Sequence, residues 1–202
     1  MFDLSMATLA VLILAMPMLC IAILVRVTSN GPALYWSKRV GQNNSIFSMP
    51  KFRTMRINAP QLATHLLTDS KNWITTIGHL LRVTSLDELP QLFNILTGEM
   101  SLVGPRPALF NQDDLIALRT ARDVHRLIPG LTGWAQINGR DELTIPEKVE
   151  LDVQYLKHRS FVLDLKIVFL TAIKMFRSEG IAQAGEERTQ RDKADAAHRT
   201  AA

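Results

Sequence analysis

An uncharged stretch of 22 residues near the amino terminus constrains the fold of this chain more than any other feature. It runs from Leu4 to Val25 and contains eleven leucine, isoleucine or valine residues. Near a bilayer centre each of these side chains favours insertion by roughly 0.3–0.6 kcal/mol, or about 3–7 kcal/mol in all. We therefore expect a membrane helix over residues 1–27 and one globular domain over residues 28–177.

Pro17 divides the apolar stretch into two unequal arms. Proline lacks a backbone N–H group and its ring clashes with the preceding turn, so we expect the helix to kink there. The arms measure roughly 20 Å and roughly 12 Å as helix, and neither alone crosses a hydrocarbon core of about 30 Å. A re-entrant helix that enters and leaves on one face is the favoured prediction, and a single span is the alternative.

The charges that follow the apolar stretch predict the orientation of the domain. From Arg26 to Thr68 there are six basic residues and no acidic one, which fits the positive-inside rule and attraction to anionic lipid headgroups. A cleaved signal peptide is disfavoured because Asp3 precedes the apolar core and no A-x-A site follows it. Cys20 is the single cysteine, which suits a reducing compartment. The domain is therefore expected on the cytoplasmic face.

The rest of the chain predicts an α+β, mostly helical fold with amphipathic helices at the membrane interface around one compact domain. Residues 33–38 and 45–49 are predicted to form a small β-hairpin, because the Gly and Asn residues between them suit a turn. Apolar periodicity predicts helices over 60–68, 73–83, 91–96, 113–127, 147–157 and 161–176. The last of these helices suits either the core or the membrane interface. Residues 178–202 lack aromatic side chains and are expected to be disordered.

Asp87 and Glu88 are adjacent acids at the predicted start of a helix. One interpretation is structural, because Ser85-x-x-Glu88 matches a capping box in which both side chains satisfy backbone N–H groups. The other is chemical, because a carboxylate near a helix start can attack phosphorus as a nucleophile. Two anions would repel each other, so this chemistry needs a divalent cation and arginines.

Three further segments offer groups that bind phosphate. Arg106 lies between Pro105 and Pro107, which fix the backbone and present the guanidinium rigidly. In residues 129–140 two glycines permit close backbone approach, although a plain turn explains them equally well. That segment also supplies Thr132, Gln136 and Arg140, and residues 51–55 supply Lys51 and Arg53 on one face of an extended chain.

Several other functions lack support in the sequence. The five histidines have no metal-ligand spacing, and neither a P-loop nor a G-x-G-x-x-G motif is present. We predict no nucleic-acid partner, and the sequence carries no prediction of an oligomeric state.

Taken together, these segments resemble the bacterial sugar transferase family, the monotopic phosphoglycosyl transferases. The resemblance covers roughly residues 1–177. It rests on the order and co-occurrence of KFRTM (51–55), SLDELPQLFN (85–94), GEMSLVGPRP (98–107), PGLTGWAQINGR (129–140), Asp152, Tyr155 and SFVLDLKI (160–167).

The resemblance implies transfer of a sugar-1-phosphate from a UDP-sugar to polyprenyl (undecaprenyl) phosphate, with release of UMP. It implies a bacterial inner-membrane enzyme that begins assembly of O-antigen, capsule or exopolysaccharide. Asp87 would be the nucleophile of a covalent phosphosugar intermediate and would hold Mg²⁺. Glu88 would place the metal or the lipid phosphate. Anion or nucleotide-sugar contacts would come from Lys51, Arg53, Arg82, Arg106, Thr132, Gln136 and Arg140.

Two alternatives stay open at this point. A membrane-bound hydrolase of nucleotide-sugars or lipid phosphates would use the same acids and release free sugar phosphate. A non-catalytic membrane scaffold would keep the fold without turnover. The intact Asp87-Glu88 pair and Arg106 argue against the scaffold.

Overall fold

The computed structural model describes residues 2–59, 73–139 and 142–177, the side chains as far as residue 174. Helix α1 (Phe2–Thr28) is followed by a hairpin of strands β1 (Leu34–Val40) and β2 (Ile46–Phe52). The later elements are α2 (Thr76–Val83), α3 (Leu92–Leu96), β3 (Ser101–Val103), α4 (Asp113–Ala121), β4 (Gly130–Thr132), α5 (Trp134–Ile137), α6 (Ile145–His158) and α7 (Phe161–Arg177). The predicted helix over 60–68 and the predicted disorder of 178–202 lie outside the described residues.

Helix α1 contains Pro17 and lies on the globular domain along much of its length. Ala7 near its start packs with Phe47 and Met49 of β2, while Val25 near its end packs with Phe52 and Leu81. Ala7 and Val25 are both fully buried, although they lie about 27 Å apart along the helix axis. The opposite face carries exposed apolar side chains at Leu9, Leu12, Ile13, Met16, Leu19 and Ile23. The helix is long and apolar enough to cross a membrane, and the predicted kink and re-entrant course stay predictions.

The predicted hairpin is confirmed and is longer than the sequence indicated. Strands β1 and β2 pair antiparallel, with Leu34 opposite Phe52 and Val40 opposite Ile46. The connection is a 3-10 turn over Gln42–Asn44, in which Asn43 has φ 53°. Asparagine tolerates this left-handed conformation, so the residue type explains the turn.

The acid pair lies on a 3-10 helix, Leu86–Gln91, that leads into α3. Ser85 precedes it with φ 55°, and among the described contacts its side chain caps no backbone N–H group. The capping-box interpretation of Ser85 and Glu88 is therefore wrong, because a left-handed Ser85 does not present its hydroxyl as a cap. The box occurs instead at Thr144 and Glu147, where α6 begins. Gly98, with φ 81°, follows α3.

A second sheet, which the sequence did not predict, joins the two glycine-rich segments, residues 98–107 and 129–140. Strands β3 and β4 are short and parallel, with Ser101 opposite Gly130 and Val103 opposite Thr132. Gly104 N–H donates to the Thr132 carbonyl at 2.9 Å, and Gly130 N–H donates to the Pro105 carbonyl at 2.9 Å. A Cβ atom on Gly130 would overlap with the backbone nitrogen of Gly104. The glycines of this segment therefore permit close approach of one backbone to another.

The carboxyl-terminal helices complete the core behind this sheet. The predicted helix over 113–127 ends early, at Ala121, and a 3-10 turn follows over Val124–Arg126. Helix α6 buries Val149 and Val153 against Leu115 of α4. Helix α7 buries Ile167, whereas its side chains Phe161, Val162, Leu165 and Phe169 are exposed. The mostly helical α+β prediction is thus confirmed, and α7 has both a core face and an exposed apolar face.

Candidate active site

Glu88 is the centre of a compact ion-pair cluster. Its Oε1 atom accepts a hydrogen bond from Lys51 Nζ at 2.8 Å and one from Arg106 Nη2 at 2.6 Å. Its Oε2 atom lies 3.4 Å from Arg106 Nη1, so the guanidinium grips both carboxylate oxygens. Three residues that are distant in the sequence, each a predicted site residue, therefore meet at one point.

Each member of the cluster is carried by a different element. Lys51 is near the end of β2, where the strand packs against the 3-10 helix that carries Glu88. Arg106 lies in the loop after β3, between two prolines. The Glu88 side chain is only 12% exposed. Because these elements pack on one another, the three charged side chains lie close together without adopting extended, flexible conformations.

Asp87 is buried beside this cluster, with 8% of its surface exposed. Burial raises the pKa of Asp87, and the neighbouring Glu88 carboxylate raises it further. The cations Lys51, Arg82 and Arg106 act in the opposite direction. A carboxylate that is poorly solvated yet surrounded by cations suits attack on an anionic phosphate, since the cations attract the same substrate.

Glu88 has the opposite protonation behaviour. Burial alone would raise its pKa, but the Arg106 and Lys51 charges and their hydrogen bonds lower that pKa well below its usual range. Two adjacent acids with divergent pKa values are typical of sites in which the acids have separate roles. Glu88 is therefore a fixed anion that pairs with two cations, and the pKa values of the two acids shift in opposite directions.

Arg82 and Arg39 extend the positive region around the acids. Arg82 Nε donates to the Thr54 hydroxyl at 2.8 Å, and burial lowers the pKa of Arg82 although Asp87 opposes this. Arg39 Nη1 donates to the Pro107 carbonyl at 3.1 Å. Burial and the nearby Arg106 charge lower the pKa of Arg39 to about 10. The sequence interpretation missed Arg39 as a site residue, because it depends on the pairing of β1 with the loop near Leu109.

Other predicted site residues have structural contacts instead. Arg53 donates to the Ser29 and Asn30 carbonyls and so holds the chain just after α1. The Thr132 hydroxyl is 2.6 Å from that of Thr171 on α7. Gln136 Nε2 donates to the Leu131 carbonyl at 3.1 Å, and its buried Oε1 has no partner among the described residues. Arg140 lies outside the described residues.

The donor set around the acids fits a magnesium ion that is held mainly by substrate. Within the described residues no group of three or more His, Cys, Asp and Glu is arranged to hold a metal. Mg²⁺ is commonly bound through one or two carboxylates together with substrate phosphates and water. Asp87 can be that carboxylate, whereas the oxygens of Glu88 already accept bonds from Lys51 and Arg106.

Comparison with known proteins identifies the family of this chain. The family model described as "Bacterial sugar transferase" matches residues 1–178. This chain belongs to the bacterial sugar transferase family. The match includes α1, the acid pair and both glycine-rich segments, so the resemblance inferred from the motifs is confirmed.

Individual relatives in the family fall into two size classes. "Uncharacterized sugar transferase EpsL" of Bacillus subtilis (strain 168) is 41% identical over 191 residues, which are 95% of this chain and 93% of that protein. "UDP-glucose:undecaprenyl-phosphate glucose-1-phosphate transferase" of Escherichia coli (strain K12) is 40% identical over 86% of this chain. The matched region is 39% of the latter protein. "Undecaprenyl-phosphate galactose phosphotransferase" of Salmonella typhimurium is 36% identical, over 89% of this chain and 40% of its own length.

The region that the family model matches contains the whole cluster described above. It also contains α1, whose exposed apolar face associates this domain with a membrane.

Proposed function

We propose that this protein transfers a sugar-1-phosphate from a UDP-sugar to polyprenyl phosphate and releases UMP. The observation that carries the proposal is the buried Asp87 carboxylate, flanked by Lys51, Arg82 and Arg106, in a domain that packs on an exposed apolar helix. The relatives named for undecaprenyl-phosphate transfer of glucose or galactose support the substrate class. Exopolysaccharide synthesis is the kind of pathway that such a product enters, as the name of "Exopolysaccharide production protein ExoY" of Sinorhizobium fredii indicates.

Asp87 is the nucleophile in the proposed reaction. One carboxylate oxygen attacks the sugar-bearing phosphorus of the UDP-sugar, and the bond from that phosphorus to the bridging oxygen breaks. UMP leaves with the electron pair, and Asp87 carries the phosphosugar as an acyl phosphate. A polyprenyl phosphate oxygen then attacks the same phosphorus, and Asp87 is released as a carboxylate.

The cations provide the electrostatic part of the proposed mechanism. Arg106 offers a guanidinium fork and Lys51 a point charge, and both suit phosphoryl oxygens. Glu88 keeps the two cations beside Asp87 before substrate arrives, so their charges need no reorganisation during the reaction. Mg²⁺, held by Asp87 and the substrate diphosphate, would screen the charge that builds up on the phosphoryl oxygens.

The packing of α1 supports a re-entrant or in-plane course in the membrane. Asp3 at its start accepts a hydrogen bond from Ser101 Oγ at 2.6 Å, and Phe2 packs edge-on against Phe161 of α7 with ring centroids 5.0 Å apart. At the other end Arg53 binds the carbonyls of Ser29 and Asn30. Attachment of both helix ends to one domain favours a course in which both ends lie on one side of the bilayer. The basic residues between Arg26 and Thr68 favour the cytoplasm as that side.

The decisive experiment is covalent trapping on Asp87. Purified protein is incubated with UDP-sugars and Mg²⁺ in the absence of lipid acceptor, and peptide mass spectrometry searches for a phosphosugar on Asp87. Wild type is expected to carry the adduct and Asp87→Asn to carry none and to release no UMP. Glu150→Gln, on the exposed face of α6, is the matched control and should behave as wild type.

Two results would contradict the proposal. Full UMP release by Asp87→Asn would show that Asp87 is not the nucleophile. Release of free sugar phosphate by wild type, independent of added undecaprenyl phosphate, would identify a hydrolase instead.

A further inference from the structure

The loop that carries Arg106 is held at successive backbone carbonyl groups. Because Pro105 and Pro107 have no N–H group, these residues can be anchored through the main chain only by their carbonyl oxygens. The donors are Gly130 N to Pro105 O at 2.9 Å, Arg119 Nη1 to Arg106 O at 2.8 Å, Arg39 Nη1 to Pro107 O at 3.1 Å, and Val40 N to Ala108 O at 3.0 Å. The backbone of Arg106 is thus fixed from both sides.

The donor to the Arg106 carbonyl is itself held by a buried acid. Arg119 Nε and Nη2 donate to Asp152 Oδ2 at 3.0 and 2.7 Å, which leaves Nη1 for the Arg106 carbonyl. Asp152 is 1% exposed and Arg119 is 8% exposed. The line of contacts runs from Asp152 on α6 through Arg119 on α4 to the Arg106 main chain, whose side chain grips Glu88.

We propose that Arg119 and Asp152 are positioning residues for phosphosugar transfer, and that they act by fixing the backbone from which Arg106 reaches the acid pair. This inference rests on the proposed function, because it assigns Arg106 a task in that reaction. Neither residue is expected to touch substrate.

A role in stability alone explains this pair poorly. Removing two charges from water costs about as much as their attraction returns, so a buried ion pair adds little net stability. Consistent with this cost, burial raises the pKa of Asp152 even though Arg119 opposes it. What the pair provides is a rigid donor at one defined carbonyl. The planar guanidinium fork can serve the acid and the carbonyl together, which a lysine ammonium cannot do from the same position.

The same two helices supply a matched control pair. Arg122, which directly follows α4, has its Nη2 atom 2.7 Å from Glu150 Oε2 on α6. This pair is about half exposed on both sides, and the hydrogen bond that Arg122 makes through its guanidinium goes to Glu150. Substituting it therefore perturbs the α4–α6 contact without perturbing the loop.

The first test is a double-mutant cycle on UMP release with Arg119→Lys and Arg106→Ala. We expect Arg119→Lys to lower kcat at least tenfold in the presence of Arg106 and less than twofold in the Arg106→Ala background. KM for the UDP-sugar should change less than kcat. Equal losses in both backgrounds would show that Arg119 acts independently of Arg106 and would overturn the proposal.

The second test does not depend on turnover. Phenylglyoxal modifies arginine, and peptide mass spectrometry of the full chain gives the modification rate of Arg106. We expect that rate to rise at least threefold in Arg119→Lys and in Asp152→Asn, and to stay at the wild-type value in Arg122→Gln with Glu150→Gln. An unchanged Arg106 rate in folded Arg119→Lys would overturn the positioning role. If wild type itself fails to turn over any UDP-sugar, the proposed function is wrong. The modification rate of Arg106 still tests whether Arg119 and Asp152 position the Arg106 backbone.

Discussion

At the scale of single residues, the neighbours Asp87 and Glu88 occupy different electrostatic environments. The Glu88 carboxylate is saturated by Lys51 and Arg106, which lower its pKa, whereas burial raises the pKa of Asp87. The backbone between Ser85 and Pro90 separates them, because a 3-10 helix directs successive side chains to different sides. The left-handed Ser85 at φ 55° sets the start of that helix, so an uncommon backbone conformation lies two residues before Asp87.

The first residue-scale prediction concerns Glu88→Gln. This substitution leaves two cations beside each other without their anion, so we expect a loss of about 3 kcal/mol in unfolding free energy at pH 7. UMP release should also fall, since Lys51 and Arg106 lose their alignment. Thermal unfolding in detergent measures the first effect. Lys157→Gln, an exposed change at the end of α6, is the control.

The pH dependence of that loss has a definite sign. The folded-state pKa of Glu88 lies below its ordinary value of 4.5. Its stabilising effect is therefore complete above pH 4.5 and is lost as the pH falls through the lowered folded-state value. The difference in unfolding temperature between wild type and Glu88→Gln should be constant from pH 6 to 8 and shrink progressively below pH 4.5. A difference that grows on acidification would contradict the ion-pair assignment.

At the scale of elements, the two glycine-rich segments form one unit. Strands β3 and β4 pair in parallel, and the loop after β3 returns along β4 through Gly104 and Gly130. This unit fixes the loop backbone from one side, while Arg119 and Arg39 fix it from the other. A short sheet at the edge of the helical core is therefore the platform for Arg106.

The element-scale prediction is that Gly130→Ala destabilises the domain by about 1–3 kcal/mol, because the added methyl group overlaps with the Gly104 backbone. The unfolding midpoint of the full chain measures this change. Gly98→Asn is the contrasting variant. Gly98 has φ 81° and no atom within 4 Å of an added Cβ, and asparagine tolerates that conformation. A Gly130→Ala variant as stable as Gly98→Asn would show that the two backbones can separate at little cost.

At the scale of the whole molecule, α1 is both the membrane element and part of the domain core. Its buried face contacts β2, α2 and α3, and its opposite face is apolar and exposed. Phe161, Val162 and Phe169 add exposed apolar surface on α7, which meets α1 at the Phe2–Phe161 contact. An apolar surface that continues from one helix to another is typical of a domain lying at a bilayer surface.

The whole-molecule prediction concerns the two ends of α1. In a Cys20→Ala background, single cysteines replace Phe2 or Thr28, and a membrane-impermeant maleimide is added to spheroplasts or to inside-out vesicles. We expect both positions to react only in inside-out vesicles, since the proposed course puts both ends on the cytoplasmic side. Reaction of residue 2 in spheroplasts and of residue 28 in inside-out vesicles would instead establish a single span.

The sequence by itself determined the features that depend on local order. An unbroken apolar run made α1 predictable, turn residues at 41–44 made the hairpin predictable, and helical periodicity located α6 and α7. The acid pair and Arg106 were identified because their residue types and motif context are local as well. These properties depend on neighbours within a few residues, where propensity and periodicity act.

Only the tertiary structure decided how those side chains are used. Glu88 meets Lys51 from 37 residues away and Arg106 from 18 residues away, and no local pattern encodes such meetings. Long-range contacts also determine the parallel pairing of β3 with β4, the position of Arg39 opposite Leu109, and the Arg119–Asp152 ion pair, whose members are 33 residues apart. Long-range packing overrode the capping-box pattern at Ser85, because two partly buried cations bind Glu88 more strongly than one backbone N–H group does.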